Sequence, residues 1–204
     1  MGFVNQFVYI AYGEPACKEA RLSIKSLREH NTGDVTVVSD KGLDLGKSHK
    51  MDAGPGTPGR WAKVNLDCLG FEQTCYLDAD TRVYGSLQVG FDILAAEWDM
   101  VIVPSSNQGS ELLYHVSEAE REATLSELGN SDVLQLQGGA FWFQRNERTL
   151  ALFDAWRAEW LRWKGQDQGA LLRALNKAPV RLWLLGRPFN GGAVVGHRFG
   201  MARE

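Results

Sequence analysis

Short apolar segments with the period of β-strands alternate with amphipathic segments with the period of α-helices along almost the whole chain. Such alternation favours a mostly parallel sheet covered by helices on both faces, which is a three-layer α/β/α sandwich. The predicted strands are 7–11, 35–39, 74–77, 100–103, 140–143, 180–184 and 193–195, and the predicted helices are 15–28, one that starts at Thr57 and Pro58, 91–97, 118–128, 147–163 and 166–176.

The length of the chain predicts one domain, residues 1–204, since 204 residues with 44% hydrophobic content can build a substantial single core. The tryptophans of 147–163 recur at helical spacing, which predicts that they belong to this core. Residues 105–137 are polar and are predicted to be an insertion in the same domain.

Charge and cysteine content restrict the partners and the compartment. The formal net charge is −3, which gives no electrostatic basis for binding nucleic acid or an anionic membrane. Cys17, Cys68 and Cys75 are odd in number and lack a Cys-x-x-Cys spacing, so a disulfide framework and a thiolate zinc site are not predicted. No signal peptide and no transmembrane segment is evident. We therefore expect a cytoplasmic protein.

Asp78 and Asp80 form an Asp-x-Asp motif at the end of the predicted strand 74–77. Ligands of open α/β sheets gather outside the carboxyl ends of the strands. Two close carboxylates repel each other, but a divalent cation that prefers oxygen ligands, such as Mg²⁺ or Mn²⁺, stabilises both anions. The motif predicts a metal site; a solvated turn that closes the strand is the alternative.

Two other motifs are weaker. Residues 54–59 match the dinucleotide-binding pattern G-x-G-x-x-G, but residues 47–53 do not resemble a strand, and Pro55 and Pro58 would stiffen the phosphate-binding turn. Haloacid-dehalogenase-like phosphatases also carry Asp-x-Asp after a strand, yet Arg82 occupies the place of their Thr. Both interpretations are disfavoured.

Taken in order, seven segments of the chain resemble the GT-A nucleotide-sugar glycosyltransferases, above all glycosyltransferase family 8 and related nucleotide-diphospho-sugar transferases. The resemblance spans about residues 5–203 and implies the GT-A type of three-layer α/β/α sandwich with a mostly parallel sheet. The segments are 11–12, 38–40, 60–63, 78–80, 137–143, 166–168 and 197–203.

The first three segments resemble the donor-nucleotide site of the family. The resemblance implies that Ala11, Tyr12 and Asp40 line the pocket of the base and ribose, although a capping aromatic and a turn acid are equally simple interpretations. Lys63, with Arg60 as second choice, would supply a basic contact to the donor.

The Asp-x-Asp segment and the C-terminal segment resemble the family's metal and diphosphate site. By resemblance, Asp78 and Asp80 hold Mn²⁺, or Mg²⁺, on the donor diphosphate, Ala79 between them belongs to the donor-binding segment, and His197 completes the metal shell. Arg203 stands where the family has Lys and would meet the leaving pyrophosphate; Arg suits this contact because it can bind two oxygens at once.

The remaining two segments resemble the sugar side of the family's site. Gly138 and Gly139 would permit a close backbone approach to a sugar, or form a bulge. The family implies that Asp167 binds donor-sugar hydroxyls and that Gln168 lies near the reacting carbon. An N-cap is the alternative role for Asp167.

The resemblance thus implies a metal-dependent hexosyltransferase that uses a nucleoside-diphosphate sugar, preferably a UDP-sugar, and an unidentified glycan, lipid-linked or protein acceptor. If family 8 is the right branch, the anomeric configuration is retained. Residues 105–137 would shape the acceptor pocket or form a solvated excursion. Two alternatives stay open, a sugar-nucleotide-binding or glycan-binding module without turnover and a sugar-1-phosphate nucleotidyltransferase, although residues 11–14 lack the cation of a triphosphate-binding loop.

Overall fold

A computed structural model gives the fold of the protein and describes residues 5–52, 54–105, 113, 115–129 and 133–200. Its strands are β1 Gln6–Ala11, β2 Asp34–Ser39, β3 Lys47–His49, β4 Gln73–Asp78, β5 Thr81–Val83, β6 Met100–Pro104, β7 Leu136–Gln144, β8 Leu182–Leu184 and β9 Val195–His197. Its helices are α1 Gly13–His30, α2 Pro58–Lys63, α3 Gln88–Ala95, α4 Glu118–Leu128, α5 Glu147–Trp163 and α6 Asp167–Lys177, with 3₁₀ turns at Leu66–Leu69 and Arg187–Phe189.

Seven strands form the central sheet in the order β3-β2-β1-β4-β7-β6-β8. All neighbouring strands are parallel except β7, which runs antiparallel to both β4 and β6. Because β7 is reversed, its first residues lie at the edge where the parallel strands end. This edge therefore receives the carboxyl ends of β1, β2 and β4 together with the start of β7.

Both faces of the sheet are buried, as the uninterrupted apolar strands require. On β1, Phe7 and Tyr9 point to a core formed with α1 and α3, whereas Val8 and Ile10 point to a second core formed with α2, α5 and α6. The period of two along the strand thus divides the apolar residues between two helix layers. The predicted α/β/α sandwich with a mostly parallel sheet is confirmed.

Local signals explain several helix ends. Pro58 occupies the first turn of α2, as predicted, but Thr57 accepts no capping hydrogen bond through its side chain. Helix α5 begins with a capping box in which Asn146 and Thr149 satisfy each other's backbone N–H groups. The bounds predicted for α4 and α5 are correct.

The sequence prediction was wrong or incomplete at the edges of the fold. Residues 47–49 form the edge strand β3, although 47–53 was judged unlike a strand; its exposed Lys-Ser-His sequence has no apolar signal. The last strand is Val195–His197 rather than 193–195, and it pairs with the unpredicted β5 in a separate two-stranded sheet. None of the described helices is both long and apolar enough to cross a bilayer.

Candidate functional site

The Asp-x-Asp motif occupies the turn between β4 and β5. Asp78 ends β4, and its backbone carbonyl accepts a hydrogen bond from Thr81 Oγ1 at 2.8 Å. Ala79 is buried in the core, so its methyl group anchors the turn rather than facing a ligand. The backbone N–H of Arg198 donates to the Asp80 carbonyl at 2.9 Å. These two hydrogen bonds fix the turn, and the carboxylates of Asp78 and Asp80 face the same way.

His197 reaches the motif because β9 pairs antiparallel with β5, with His197 opposite Thr81. Its Nε2 lies 3.1 Å from Asp80 Oδ1 and 3.6 Å from Asp78 Oδ2. One ligand atom from each of the three residues lies within 4.8 Å of the others. Burial raises the pKa of Asp80, but the hydrogen bond and charge of His197 outweigh it and leave the pKa lowered. The structure thus brings the three predicted metal ligands together.

Asn190 fixes the orientation of His197, a role that the sequence analysis missed. Nδ1 of His197 lies 2.8 Å from Oδ1 of Asn190, a buried side chain that also donates to the Gln137 carbonyl at 3.4 Å. Since an amide oxygen only accepts, Nδ1 donates to Asn190, while Nε2 donates to the Asp80 carboxylate and is the ring nitrogen that faces the two acids. An Asn before two glycines predicts a turn, and nothing in the sequence links it to His197.

Gly138 and Gly139 lie in β7, where Ile102 pairs with Phe141 and Val103 with Gln137, so neither glycine has a register partner in β6. A Cβ at position 139 would lie 2.3 Å from Cε1 of His197. The glycine therefore allows the imidazole to pack on the β7 backbone. This close approach is made by a protein side chain, whereas the predicted approach to a sugar stays a prediction.

Lys63 connects the metal motif to the start of α6. Its buried ammonium lies 3.1 Å from Asp78 Oδ1, 3.2 Å from Asp167 Oδ2 and 3.1 Å from the Gly138 carbonyl. Burial lowers the pKa of Lys63, but the two carboxylates more than compensate and raise it. Three acceptors match the three N–H groups of an ammonium. Its predicted contact with the donor stays a prediction.

Asp167 is the first residue of α6, so it is not the N-cap, and Gln166 holds that position. Its buried carboxylate lies between Lys63 and Arg60, whose Nε is 3.8 Å from Asp167 Oδ1. Burial raises the pKa of Asp167, but these two cations bring it below its ordinary value. Gln168, the next residue, forms a side-chain hydrogen bond with His115. Of the two residues predicted for the donor sugar, Asp167 thus lies beside the metal motif through Lys63, and Gln168 follows it in α6.

The residues predicted for the base and ribose lie at the same edge of the sheet. Ala11 ends β1 and is fully buried. Tyr12 follows at the N-cap position of α1, and Asp40 Oδ1 accepts the Gly13 N–H at 3.2 Å, which stabilises the start of that helix. Ile10 pairs with Asp78 across β1 and β4, which places these residues next to the metal motif. Arg203 lies outside the described residues.

Two of the three glycines of the G-x-G-x-x-G pattern, Gly54 and Gly56, have a packing role. A Cβ on Gly54 would lie 2.1 Å from Cε2 of Trp61, and Gly56 has a φ of +75° and would place a Cβ 2.9 Å from the ring of Trp160. These two positions require glycine because tryptophan rings cover the backbone. Packing against the two tryptophans thus accounts for Gly54 and Gly56 without a bound phosphate.

Comparisons with known proteins identify the fold. No family model and no curated protein matches the sequence. Among solved structures, apo mouse xyloside xylosyltransferase 1 has a TM-score of 0.60 at 12% identity. The match covers 90% of this chain and 86% of the xylosyltransferase. The galactosyltransferase LgtC, in complex with donor and acceptor sugar analogues, has a TM-score of 0.57 at 15% identity. The match covers 97% of this chain and 81% of LgtC.

The bifunctional glycosyltransferase WbbM has a TM-score of 0.66 at 13% identity; the match covers 91% of this chain but only 39% of WbbM. At these identities the likeness shows the fold alone. The fold is that of the GT-A glycosyltransferases, and the predicted fold class is confirmed.

Proposed function

We propose that this chain, which has the fold of the GT-A glycosyltransferases, transfers a hexose from a nucleoside-diphosphate sugar, preferably a UDP-sugar, to a glycan, lipid-linked or protein acceptor. The observation that carries the proposal is the convergence of Asp78, Asp80 and His197 beside the Lys63–Asp167 ion pair. A metal site and a buried carboxylate for sugar hydroxyls then lie at one edge of the sheet, where open α/β sheets bind ligands.

The three side chains fit a divalent cation. Asp78 and Asp80 offer carboxylate oxygens, and His197, held through Nδ1 by Asn190, would offer Nε2 once a cation replaces the Nε2 hydrogen bond to Asp80. A mixed carboxylate and imidazole set suits Mn²⁺ better than Mg²⁺, which prefers oxygen ligands alone. When bound, the cation supplies Lewis-acid neutralisation of the charge that develops on the departing nucleoside diphosphate.

The other residues bind and orient the donor in this proposal. Tyr12 stacks on the base and Asp40 accepts its hydrogen bonds. Asp167 accepts hydrogen bonds from hydroxyls of the donor sugar, and Gln168 lies near the reacting carbon. Lys63 holds Asp78 and Asp167 at a fixed separation, so the diphosphate and the sugar are positioned together. Arg60 and Arg203 add positive charge against the leaving group.

Two further parts of the proposal concern the anomeric configuration of the product and the cellular compartment of the protein. Retention of the anomeric configuration follows if the chain belongs to the family 8 branch, and proton NMR of the first product measures it. A reducing cytoplasm suits the protein, since Cys17, Cys68 and Cys75 are all free thiols.

Calorimetric titration of UDP and GDP, with and without Mn²⁺, tests the proposal. We expect UDP binding that requires Mn²⁺ and that Asp80→Asn weakens by at least ~10-fold, because loss of one carboxylate leaves the metal shell incomplete. The control is Asp44→Asn, which removes an exposed carboxylate outside the site. UDP-hexoses are then assayed for hydrolysis and transfer.

Absence of nucleotide binding under every metal condition would overturn the donor site. Binding without hydrolysis or transfer across a broad acceptor screen would instead support a module without turnover. Release of pyrophosphate from UTP and a sugar 1-phosphate would identify a nucleotidyltransferase.

A further inference from the structure

Tyr76 lies two residues before Asp78 on β4, so the period of two along a strand points both side chains to the same face of the sheet. The Tyr76 side chain is buried and packs on Phe141, its partner in β7, with the ring centroids 5.1 Å apart. Its hydroxyl donates to Oδ1 of Asp78 at 2.5 Å. A buried tyrosine that the proposed function does not use therefore holds the first carboxylate of the Asp-x-Asp motif.

Lys63 holds the same oxygen of Asp78. Its ammonium lies 3.1 Å from Oδ1 and 4.9 Å from the centre of the Tyr76 ring. The face of an aromatic ring attracts a cation, so the tyrosine also helps to place the lysine. Oδ1 of Asp78 thus receives a neutral donor and a cationic donor at once, and both donors belong to buried side chains.

The other oxygen of Asp78 lies on the side of the imidazole. Oδ2 is 3.6 Å from Nε2 of His197, which in turn is 3.1 Å from Oδ1 of Asp80. To turn both of its oxygens toward a cation, Asp78 would have to give up the hydrogen bond from Tyr76 and the ion pair with Lys63. Asp78 therefore offers one oxygen, Oδ2, to a cation between the three predicted ligands.

The number of carboxylate oxygens that a site offers distinguishes between divalent cations. Ca²⁺ takes roughly 6–8 oxygen ligands and can bind both oxygens of one carboxylate, whereas Mn²⁺ is satisfied by an octahedral site with fewer ligands. A site in which one Asp is restricted to a single oxygen is therefore poor for Ca²⁺. The restriction comes from Tyr76 and Lys63 and not from the three ligands themselves.

We propose that Tyr76 is a positioning residue of the candidate metal site. Together with Lys63 it occupies Oδ1 of Asp78, leaves Oδ2 alone for the cation, and so makes the site prefer Mn²⁺ to Ca²⁺. The inference rests on the proposed function, because it assigns the metal preference of the same site. In this role the Tyr76 hydroxyl is not a metal ligand and acts only through Asp78.

EPR of Mn²⁺ tests the proposal, since free Mn²⁺ in water gives a sharp signal that broadens when the ion binds to protein. Ca²⁺ is titrated against bound Mn²⁺, first without and then with UDP, to give the ratio of the Ca²⁺ and Mn²⁺ dissociation constants. We expect Tyr76→Phe, which keeps the ring over Lys63, to lower this ratio about 10-fold, the lower end of the usual effect on metal affinity of removing a ligand's hydrogen-bond partner.

Tyr9→Phe is the matched control. Tyr9 is another buried tyrosine, in the core on the other face of the sheet, and its hydroxyl accepts a hydrogen bond from Ser23 at 3.1 Å. The substitution therefore removes a buried hydroxyl without touching Oδ1 of Asp78. We expect it to keep the wild-type ratio of the two dissociation constants.

Lys63→Met is an independent second variant, and it decides the question if Tyr76→Phe fails to fold. It also frees Oδ1 of Asp78, so the ratio should again fall. The lost positive charge acts on both divalent cations alike and cancels in the ratio.

A wild-type ratio in Tyr76→Phe would overturn the role of Tyr76, whatever happens to the absolute affinities. So would a wild type that binds no Mn²⁺, or one that binds Ca²⁺ more tightly than Mn²⁺. A wild type that binds Mn²⁺ but not UDP would contradict the proposed function alone, and the ratio measured without UDP still tests Tyr76.

Discussion

At the scale of single residues, Gly139 determines where His197 can lie. Gly139→Ala would place a Cβ 2.3 Å from Cε1 and 2.6 Å from Nδ1 of His197, far inside van der Waals contact. The imidazole must then move away from Asn190 and the two carboxylates. We expect Mn²⁺-dependent UDP binding to weaken by about 10- to 100-fold, the usual effect of disturbing a ligand's support, as measured by calorimetry.

The neighbouring glycine provides a matched control. A Cβ on Gly138 would lie 3.3 Å from Asp167 Oδ2, a distance that a small shift relieves, so Gly138→Ala should retain metal-dependent nucleotide binding. Because alanine suits a strand better than glycine, Gly138→Ala should not lower the unfolding temperature. The unfolding temperatures of both alanine variants then show whether a loss of UDP binding reflects a loss of fold. Unchanged UDP binding in Gly139→Ala would show that the position of His197 does not control the site.

The sequence predicted which side chains gather here but not what supports them. Asp78 and Asp80 were predicted as metal ligands from residue types, and His197 from the resemblance of its segment; the structure brings one ligand atom of each within 4.8 Å. The hydrogen bond from His197 to Asn190 and the three acceptors of Lys63 depend on which turns face each other. No periodicity in the sequence encodes these contacts.

At the scale of elements, a buried charge network joins α4 to α5 and α6. The fully buried Arg173 of α6 lies 2.8 Å from Glu159 of α5 and 3.1 Å from Glu120 of α4, and it also donates to Thr124. Lys177 pairs with the same Glu159. The charged helix 118–128 is therefore packed against the domain through its polar side.

Arg173→Leu tests this network. The substitution leaves the carboxylate of Glu120 buried without a cation, so we expect the free energy of unfolding in urea to fall by about 3–5 kcal/mol. Lys177→Leu is the control on the same helix; its side chain is 52% exposed, and it should cost no more than about 1 kcal/mol. Similar losses for the two variants would contradict a structural role for the buried guanidinium.

Sequence periodicity predicted α4 with its bounds but could not predict how it packs. Four of its eleven residues are Glu, so the pattern indicates a solvated helix. The structure buries Glu120 because Arg173, 53 residues later, pairs with it. A long-range pair between two charged residues has no signal in a single sequence.

At the scale of the whole molecule, stability should depend on acid titration of buried carboxylates. Although burial raises its pKa, hydrogen bonds from Lys177, Arg173 and Arg162 lower the pKa of Glu159 from 4.5 to about 2. Hydrogen bonds that involve Arg148, Arg181 and Asn146 likewise outweigh burial and lower the pKa of Asp99. The unfolded chain then binds more protons in acid than the folded protein does, so both groups stabilise the fold above their unfolded pKa values.

We expect the free energy of unfolding to fall as the pH drops from about 5 toward 2, with Glu159 accounting for roughly 3 kcal/mol of the loss. Burial raises the pKa of Glu120, which opposes this trend. Urea unfolding of the wild type and of Glu159→Gln over this pH range checks the sign, since the variant should lose less stability on acidification. Glu29→Gln, at an exposed carboxylate, should follow the wild type, and parallel profiles for all three proteins would contradict the assignment.

The alternation of strand and helix predicted the architecture because each segment had to bury one apolar face. It failed for β3 and for the pair of β5 and β9, each of which has three residues. Strands this short have too few alternating positions for a period, and β3 is polar throughout. These elements are specified by their neighbours, not by their own sequence.

The pairing of β9 with β5 couples the folding of a short strand to cation binding at the site. Strand β9 has three residues and a single partner, yet it carries the ligand that is most distant in sequence from Asp78 and Asp80. Because this segment pairs with β5 and not with the central sheet, it can open while the central sheet stays intact. Any cation that bridges His197 to the two carboxylates therefore works as a reversible crosslink, and occupancy of the site and folding of the last strand are one coupled equilibrium.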